Sequence, residues 1–148
     1  STLKPTAIAA FPLFNAASRC MGSMPATKRA EGFLNELQKR YDETGDPEYR
    51  PLEGMYTSLL TAYAKVDVKN AQRCAKKVDE VLEAMERNQI KPSLHAITAA
   101  MKAKVNYRSE ANVQKAEELM RSMKFPDSVA YQCRKYSISV GSLLHAKF

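Results

Sequence analysis

Several basic side chains of this chain lie in or beside stretches that lack carboxylates. No Asp or Glu occurs in residues 1–30, 88–109 or 128–148. The basic residues concerned are Arg19, Lys65, Lys102, Lys104, Arg134 and Lys135. Ammonium and guanidinium groups that share a surface without carboxylates create a positive potential that attracts phosphate groups. These residues are therefore the candidates for binding a polyanion.

The distribution of charge along the chain is more informative than the net charge. The net charge is +7, to which residues 1–52, 53–93 and 94–148 contribute +1, +1 and +5. Basic side chains on a helix are often merely solvated, and that alternative stays open. The separation of bases from acids along the chain favours an anion-binding surface.

The sequence lacks the patterns of an enzyme or a metal site. Cys20, Cys74 and Cys133 are odd in number and widely spaced, which fits neither a disulfide framework nor zinc ligation and suggests a reducing compartment. The histidines, His95 and His145, lie near no cysteine or carboxylate at ligand spacing. There is no glycine-rich phosphate loop and no nucleophile with a matching base. We predict no catalysis, no metal, no cofactor and no small-molecule substrate.

The elements that must carry the cations form a repeat. Three stripes of apolar residues have offsets of three and four, which place them on one helical face, and each is followed by a polar tail that ends on a proline. The stripes are Ala30, Phe33, Leu34 and Leu37; Val78, Val81, Leu82 and Met85; and Ala116, Leu119, Met120 and Met123. The tails end in "YRP", "IKP" and "KFP".

A second kind of stripe precedes each of these, so each unit is predicted to contain two helices. The first-helix stripes are Ala10, Leu13, Phe14 and Ala17; Tyr56, Leu59, Leu60 and Tyr63; and Ile97, Ala100 and Met101. The spacing of units varies because extra residues lie in "QKRYDETGDPEY" and "VDVKNAQRC", at element ends where insertions are tolerated. Like helices of a stacked array line like faces, so the acid-poor first helices are expected to form one electropositive surface.

The predicted fold is all-α: a right-handed α-solenoid of about three helix-turn-helix repeats with a partial C-terminal unit. The chain is expected to be one domain, 1–148, with units at roughly 6–52, 53–93, 94–127 and 128–148. The longest apolar run, "AIAAFPLF", is far shorter than the roughly 20 residues that span a bilayer, so no membrane insertion is predicted. Because the chain starts at Ser1, we expect it to be processed or a fragment.

The segments "GMYTSLLTAYAK" and "VLEAMERNQIKPS" resemble the consensus of the pentatricopeptide repeat family. The resemblance covers Lys4 to about Tyr136, and the tail "RYDETGDPEYRP" is similar to elongated variants in algal organelle proteins. It implies an α-solenoid that reads single-stranded RNA at one base per repeat with two or three side chains of each unit. It further implies two base-reading pairs, Thr57 with Ser93 and Thr98 with Asp127.

The same resemblance implies the remaining contacts to RNA. Val129 matches the position that stacks on bases, and His95 offers a π surface there. Lys65 and Arg19 match a position that often contacts phosphate, and Lys102 and Lys104 join them as cations of a first helix.

The first unit departs from the family pattern. Phe11 and Leu52 occupy positions where polar readers are expected, Gly54 replaces the stacking aliphatic residue of the second unit, and Pro12 interrupts the first helix. We therefore expect no base reading by the first unit and no stacking platform at Gly54.

Two functions remain open on these grounds. The leading hypothesis is an RNA-binding protein of an organelle interior, the mitochondrial matrix or the chloroplast stroma, that acts in RNA processing, stability or translation. The alternative is a structural scaffold subunit that binds other protein subunits within a large organellar assembly, such as a ribosome or a photosynthetic or respiratory complex. Degraded reading positions are what the alternative predicts.

Overall fold

The computed structural model describes residues 6–20, 23–107 and 109–121, and within them every regular element is helical. The helices are α1 (Ala7–Arg19), α2 (Met24–Thr44), α3 (Glu53–Ala64), α4 (Ala71–Arg87), α5 (Leu94–Asn106) and α6 (Glu110–Arg121). Short 3-10 turns at Pro47–Tyr49 and Val68–Asn70 precede α3 and α4. The predicted fourth unit, 128–148, lies outside the described residues.

The helices pair into three hairpins that stack in chain order. Within the hairpins α1 packs on α2, α3 on α4 and α5 on α6, and between hairpins α3 packs on both α1 and α5. The first helices thus form one layer and the second helices another. The prediction of an all-α solenoid is confirmed, whereas the exact division into units stays a prediction.

The helix ends follow from local chemistry. Ser23 and Ser93 each accept a hydrogen bond from the backbone N–H three residues later, from Ala26 at 3.4 Å and from Ala96 at 3.1 Å, and so cap α2 and α5. Helix α2 stops at Gly45, whose φ of 67° lies in the left-handed region that favours glycine. These caps fix both ends of α2 and the start of α5.

The core lies between the two layers and contains most of the predicted stripe residues. Tyr56, Leu59, Leu60 and Tyr63 of α3 are all buried, because α3 is covered by neighbours on both sides. Leu13 is the one member of the first-helix stripes that is exposed, with 36% of its surface accessible.

Pro12 lies within α1 rather than in its first turn. Proline in a helix interior removes one backbone hydrogen bond and costs about 3 kcal/mol or more. Here Pro12 and Ile8 are on the solvent side of the first hairpin, and Ile8 is 79% exposed. Solvent therefore reaches the turn where the hydrogen bond is lost.

The extra residues of the first two units lengthen second helices. The segment 38–44 continues α2, and residues 71–74 form the first turn of α4. Asn88 at the end of α4 donates to Tyr56 at 2.8 Å and to Gln38 at 2.7 Å. The longer α2 thereby reaches the end of α4 and links two hairpins.

The described helices include none that is both long and apolar enough to cross a membrane.

Candidate nucleic-acid interface

The first helices meet along two seams, and together they form what we call the first-helix surface, made by α1, α3 and α5. Along the α1–α3 seam the Phe11 ring lies against Gly54, Ser58 hydrogen bonds to the Asn15 carboxamide at 3.4 Å, and Lys65 Nζ donates to the Ser18 carbonyl at 2.7 Å. These contacts run in the same order along both helices. Helices α1 and α3 are therefore parallel, with their C-terminal ends side by side.

The α3–α5 seam continues this arrangement. Asn106, at the end of α5, donates to the Ala64 carbonyl at the end of α3 at 3.0 Å. Burial lowers the pKa of Lys102, and the nearby charge of Lys65 lowers it further. The Asn106 contact places the C-terminal part of α5, which includes Lys102, beside that of α3.

Three of the four predicted phosphate-contacting residues therefore lie at one end of the first-helix surface. Lys65 and Lys102 are electrostatic neighbours, Lys65 bonds the carbonyl of Ser18, and the exposed Arg19 follows Ser18 directly. We call Arg19, Lys65 and Lys102 the cationic end. The C-terminal ends of helices carry partial negative charge, which favours cations there even without a ligand.

The fourth predicted phosphate-contacting residue, Lys104, does not lie with the other three. Its side chain is 4% exposed, and its Nζ lies 2.5 Å from Asp79 Oδ2 on α4 and 3.5 Å from Asn112 Oδ1 on α6. Lys104 thus faces the second-helix layer, where no phosphate on the first-helix surface can reach it. The signal was present in the sequence, because residues two apart on a helix point about 200° apart and Lys102 and Lys104 cannot line one face.

The first reading pair is at the opposite, N-terminal end of the first-helix surface. Thr57 is partly exposed, and its hydroxyl donates to Glu53 Oε1 at 2.6 Å. Ser93 is exposed and accepts the capping hydrogen bond from Ala96, which leaves its hydroxyl proton free to point elsewhere. Both side chains retain hydrogen-bonding capacity that a base edge can use.

The second predicted pair has a different environment. Thr98 is 0% exposed, and its hydroxyl donates to the Leu94 carbonyl at 2.8 Å. Its proposed partner Asp127 and the stacking candidate Val129 lie outside the described residues, and His95 is partly buried on the first turn of α5. The burial of Thr98 does not fit base reading by its side chain in this conformation.

Glu53 was not predicted as a site residue. It is the first residue of α3, where a carboxylate complements the macrodipole. The spacing of four residues between Glu53 and Thr57 could have indicated their contact, since side chains at that spacing are neighbours on a helix. Among the acids in the described α-helices, Glu53 is the one on a first helix.

The second-helix layer carries the remaining helical acids. Glu31 on α2 forms a bidentate pair with Arg73 on α4, at 3.1 and 2.7 Å, and accepts from the Tyr63 hydroxyl at 2.8 Å. Burial, followed by the charge of Glu31, raises the pKa of Tyr63, so the phenol stays protonated and donates. This network joins two hairpins. It also neutralises part of the acidic charge on that layer.

The described residues contain no group of three or more potential metal ligands. Cys20 is exposed and Cys74 is buried, and each is a free thiol.

Comparison with known proteins supports the repeat interpretation. No family model matches the chain, and no solved structure matches it. The chain is 30% identical over 96 residues to a protein of Arabidopsis thaliana whose name describes it as pentatricopeptide repeat-containing. The match covers 65% of this chain and 15% of that relative. This chain is a helical-repeat protein. The elongated algal-type variant suggested by its first unit stays a prediction.

Proposed function

We propose that this protein binds single-stranded RNA on its first-helix surface and acts in an organelle in RNA processing, stability or translation. The observation that carries the proposal is the parallel packing of α1, α3 and α5, with Arg19, Lys65 and Lys102 at one end and Thr57 and Ser93 at the other. Cations along one edge hold a phosphate backbone, and polar side chains set back from it contact bases. The similarity to a pentatricopeptide repeat-containing relative supports the helical-repeat scaffold on which this proposal depends.

The distance between the N-terminal and C-terminal ends of α3 allows one end to contact bases while the other contacts phosphates. Thr57 and Lys65 are eight residues apart on α3, which corresponds to about 12 Å along a helix. An extended strand that lies across the three first helices can thus place its phosphates near the C-terminal ends and its bases near the N-terminal ends.

The double variant Lys65→Gln with Lys102→Gln tests the proposal. We expect weaker binding to a labelled single-stranded RNA of mixed sequence, measured by fluorescence anisotropy across a salt series. The salt slope should fall by about 0.7 for each phosphate contact that is lost. Lys104→Glu is unsuited to this test, because it would place a second carboxylate beside Asp79.

The matched control is Lys76→Gln with Lys39→Gln, which makes the same charge change at exposed positions of the second-helix layer. The control should lower affinity only slightly through the change in net charge. Equal losses in the two double variants would reject a defined RNA surface, and undetectable binding by the unaltered protein would reject the proposed function.

A protein-binding scaffold in an organellar assembly is the second candidate, and one observation favours it. Thr98 is fully buried, so the third hairpin presents no reading hydroxyl at that position. A scaffold has no need of reading side chains. Binding of a protein partner that survives the Lys65→Gln/Lys102→Gln change, combined with no RNA binding, would select this function.

A further inference from the structure

Phe11 and Gly54 fit together across the α1–α3 seam. A Cβ built on Gly54 would lie 2.4 Å from Cζ and 2.6 Å from Cε2 of the Phe11 ring. The ring thus occupies the space that a side chain at position 54 would fill. Phe11 remains partly exposed, so an aromatic surface is present where the glycine alone would leave none.

Two hydrogen-bonding side chains, those of Glu53 and Thr57, lie at the same end of α3 as Gly54. Thr57 is four residues from Glu53 and three from Gly54, and side chains at these spacings are neighbours on a helix. The Thr57 hydroxyl donates its hydrogen bond to Glu53 Oε1, at 2.6 Å. The hydroxyl oxygen and the second carboxylate oxygen, Oε2, therefore offer lone pairs and no donor.

An aromatic ring combined with hydrogen-bond acceptors favours a base whose edge presents hydrogen-bond donors. Guanine is the base whose Watson–Crick edge presents two adjacent donors, N1–H and the N2 amino group. Adenine, cytosine and uracil each present one donor position with at least one acceptor next to it, and a carboxylate would repel that acceptor. A carboxylate can accept both guanine donors, as it accepts two parallel hydrogen bonds from arginine.

We propose that Phe11, Glu53 and Thr57 form a guanine-selective nucleobase subsite of the first-helix surface. This inference rests on the proposed RNA-binding function and deepens it. Phe11 from one hairpin stacks on the base, while Glu53 and Thr57 from the next hairpin accept from its edge. The subsite replaces the platform that Gly54 lacks, and it gives the first unit a part in recognition that its sequence pattern did not predict.

Three short single-stranded RNAs test the subsite: alternating uridine with guanosine, with inosine, and with adenosine. Inosine keeps N1–H but lacks the N2 amino group. The unaltered protein should bind the guanosine RNA most tightly, the inosine RNA less tightly and the adenosine RNA least. Glu53→Gln should reduce the preference for guanosine over adenosine by about tenfold, which corresponds to the loss of one bidentate contact.

Glu83→Gln is the matched control, because it removes one carboxylate from an exposed position on α4. It should leave the order of the three RNAs unchanged. Gly54→Ala tests the ring independently, because the added methyl group displaces the Phe11 ring while alanine favours the helix. This variant should keep the helical circular dichroism signal of the unaltered protein and bind all three RNAs about tenfold more weakly, the effect of losing one stacked base.

The outcomes separate the subsite from the proposed function. RNA binding that depends on Lys65 and Lys102 but keeps its base preference in Glu53→Gln would overturn the subsite and leave the function standing. Absence of RNA binding by the unaltered protein would overturn both. Binding of an arginine-containing peptide that is lost in Glu53→Gln, without RNA binding, would assign the same groups to a protein partner and overturn the inference.

Discussion

Cys74 and Cys20 show how strongly one residue type can differ in chemistry between two positions. Cys74 is fully buried on α4, and burial raises its pKa to about 11, an effect that exceeds the opposing charge of Arg73. Cys20 is exposed at the end of α1. The reactive species is the thiolate, so the raised pKa and the burial both protect Cys74.

We expect selective labelling in a Cys133→Ser background, which removes the cysteine outside the described residues. At pH 8 a disulfide reagent should modify Cys20 readily and Cys74 only after denaturation. Because the folded-state pKa of Cys74 is raised, its thiol binds a proton more tightly when folded, and stability should decline as the pH rises from about 9 towards 11.

A Cys20→Ser/Cys133→Ser variant provides the control, since it reports Cys74 alone. The absorbance of the coloured thiol that the reagent releases should stay near zero until denaturant is added. Rapid native modification of this variant would show that Cys74 is accessible.

Residue-scale environments were also the hardest to predict from sequence. Thr57 and Thr98 occupy the same position of successive repeats, yet the first is partly exposed and the second is fully buried. Both are single polar residues on apolar helices, so periodicity treats them alike. What distinguishes them is packing by other elements, which one helix pattern does not encode.

At the scale of elements, the Lys104–Asp79 pair joins α5 to the preceding second helix. Lys104 is buried, while the Asp79 side chain is 42% exposed. Removing one partner of a buried ion pair is costly because the other is left unpaired. Solvent around Asp79 reduces that cost, since exposed charges are screened.

We expect Lys104→Met to lower the free energy of unfolding by about 1–2 kcal/mol, measured by urea denaturation. Asp79→Asn and the double variant complete a thermodynamic cycle, in which the combined loss should be smaller than the sum of the single losses. Lys115→Met is the control, because its pair with Glu118 is 3.9 Å long and exposed, and it should change stability by no more than about 0.5 kcal/mol. Additive losses would show that the pair is not coupled.

The elements themselves were largely predictable. The stripes on α2, α3 and α4 identified buried faces because a helix must bury one side. Pro51 lies between α2 and α3, and Pro92 lies between α4 and α5. The start of α4 was not predicted, since "VDVKNAQRC" was assigned as a whole to extra residues at element ends, whereas residues 71–74 are helical. Helix boundaries depend on capping contacts that a hydrophobic pattern does not contain.

For the whole molecule, stacking in chain order predicts a gradient of local stability. Each hairpin of a solenoid contacts only its neighbours, so helices with neighbours on both sides are stabilised the most. Helix α3 packs against α1, α2, α4 and α5. Helix α2 packs on α1 and α3, and much of its outer face is exposed.

Amide hydrogen exchange should therefore be slowest in α3. We expect the amides of residues 56–63 to exchange at least about ten times more slowly than the outward amides of α2, because opening α3 breaks two interfaces. Mass spectrometry of peptic fragments provides the measurement. Equal protection of the two helices would indicate that the hairpins unfold as one cooperative unit.

The contact of Phe11 with Gly54 has a geometric consequence. The axes of packed helices lie about 8–10 Å apart, depending on the side chains between them. Between α1 and α3 one ring rests directly on backbone, rather than interlocking with a second side chain. The separation of α1 and α3 at this end of the seam therefore depends on the bulk of Phe11, and a smaller side chain at that position should let the two helices approach each other.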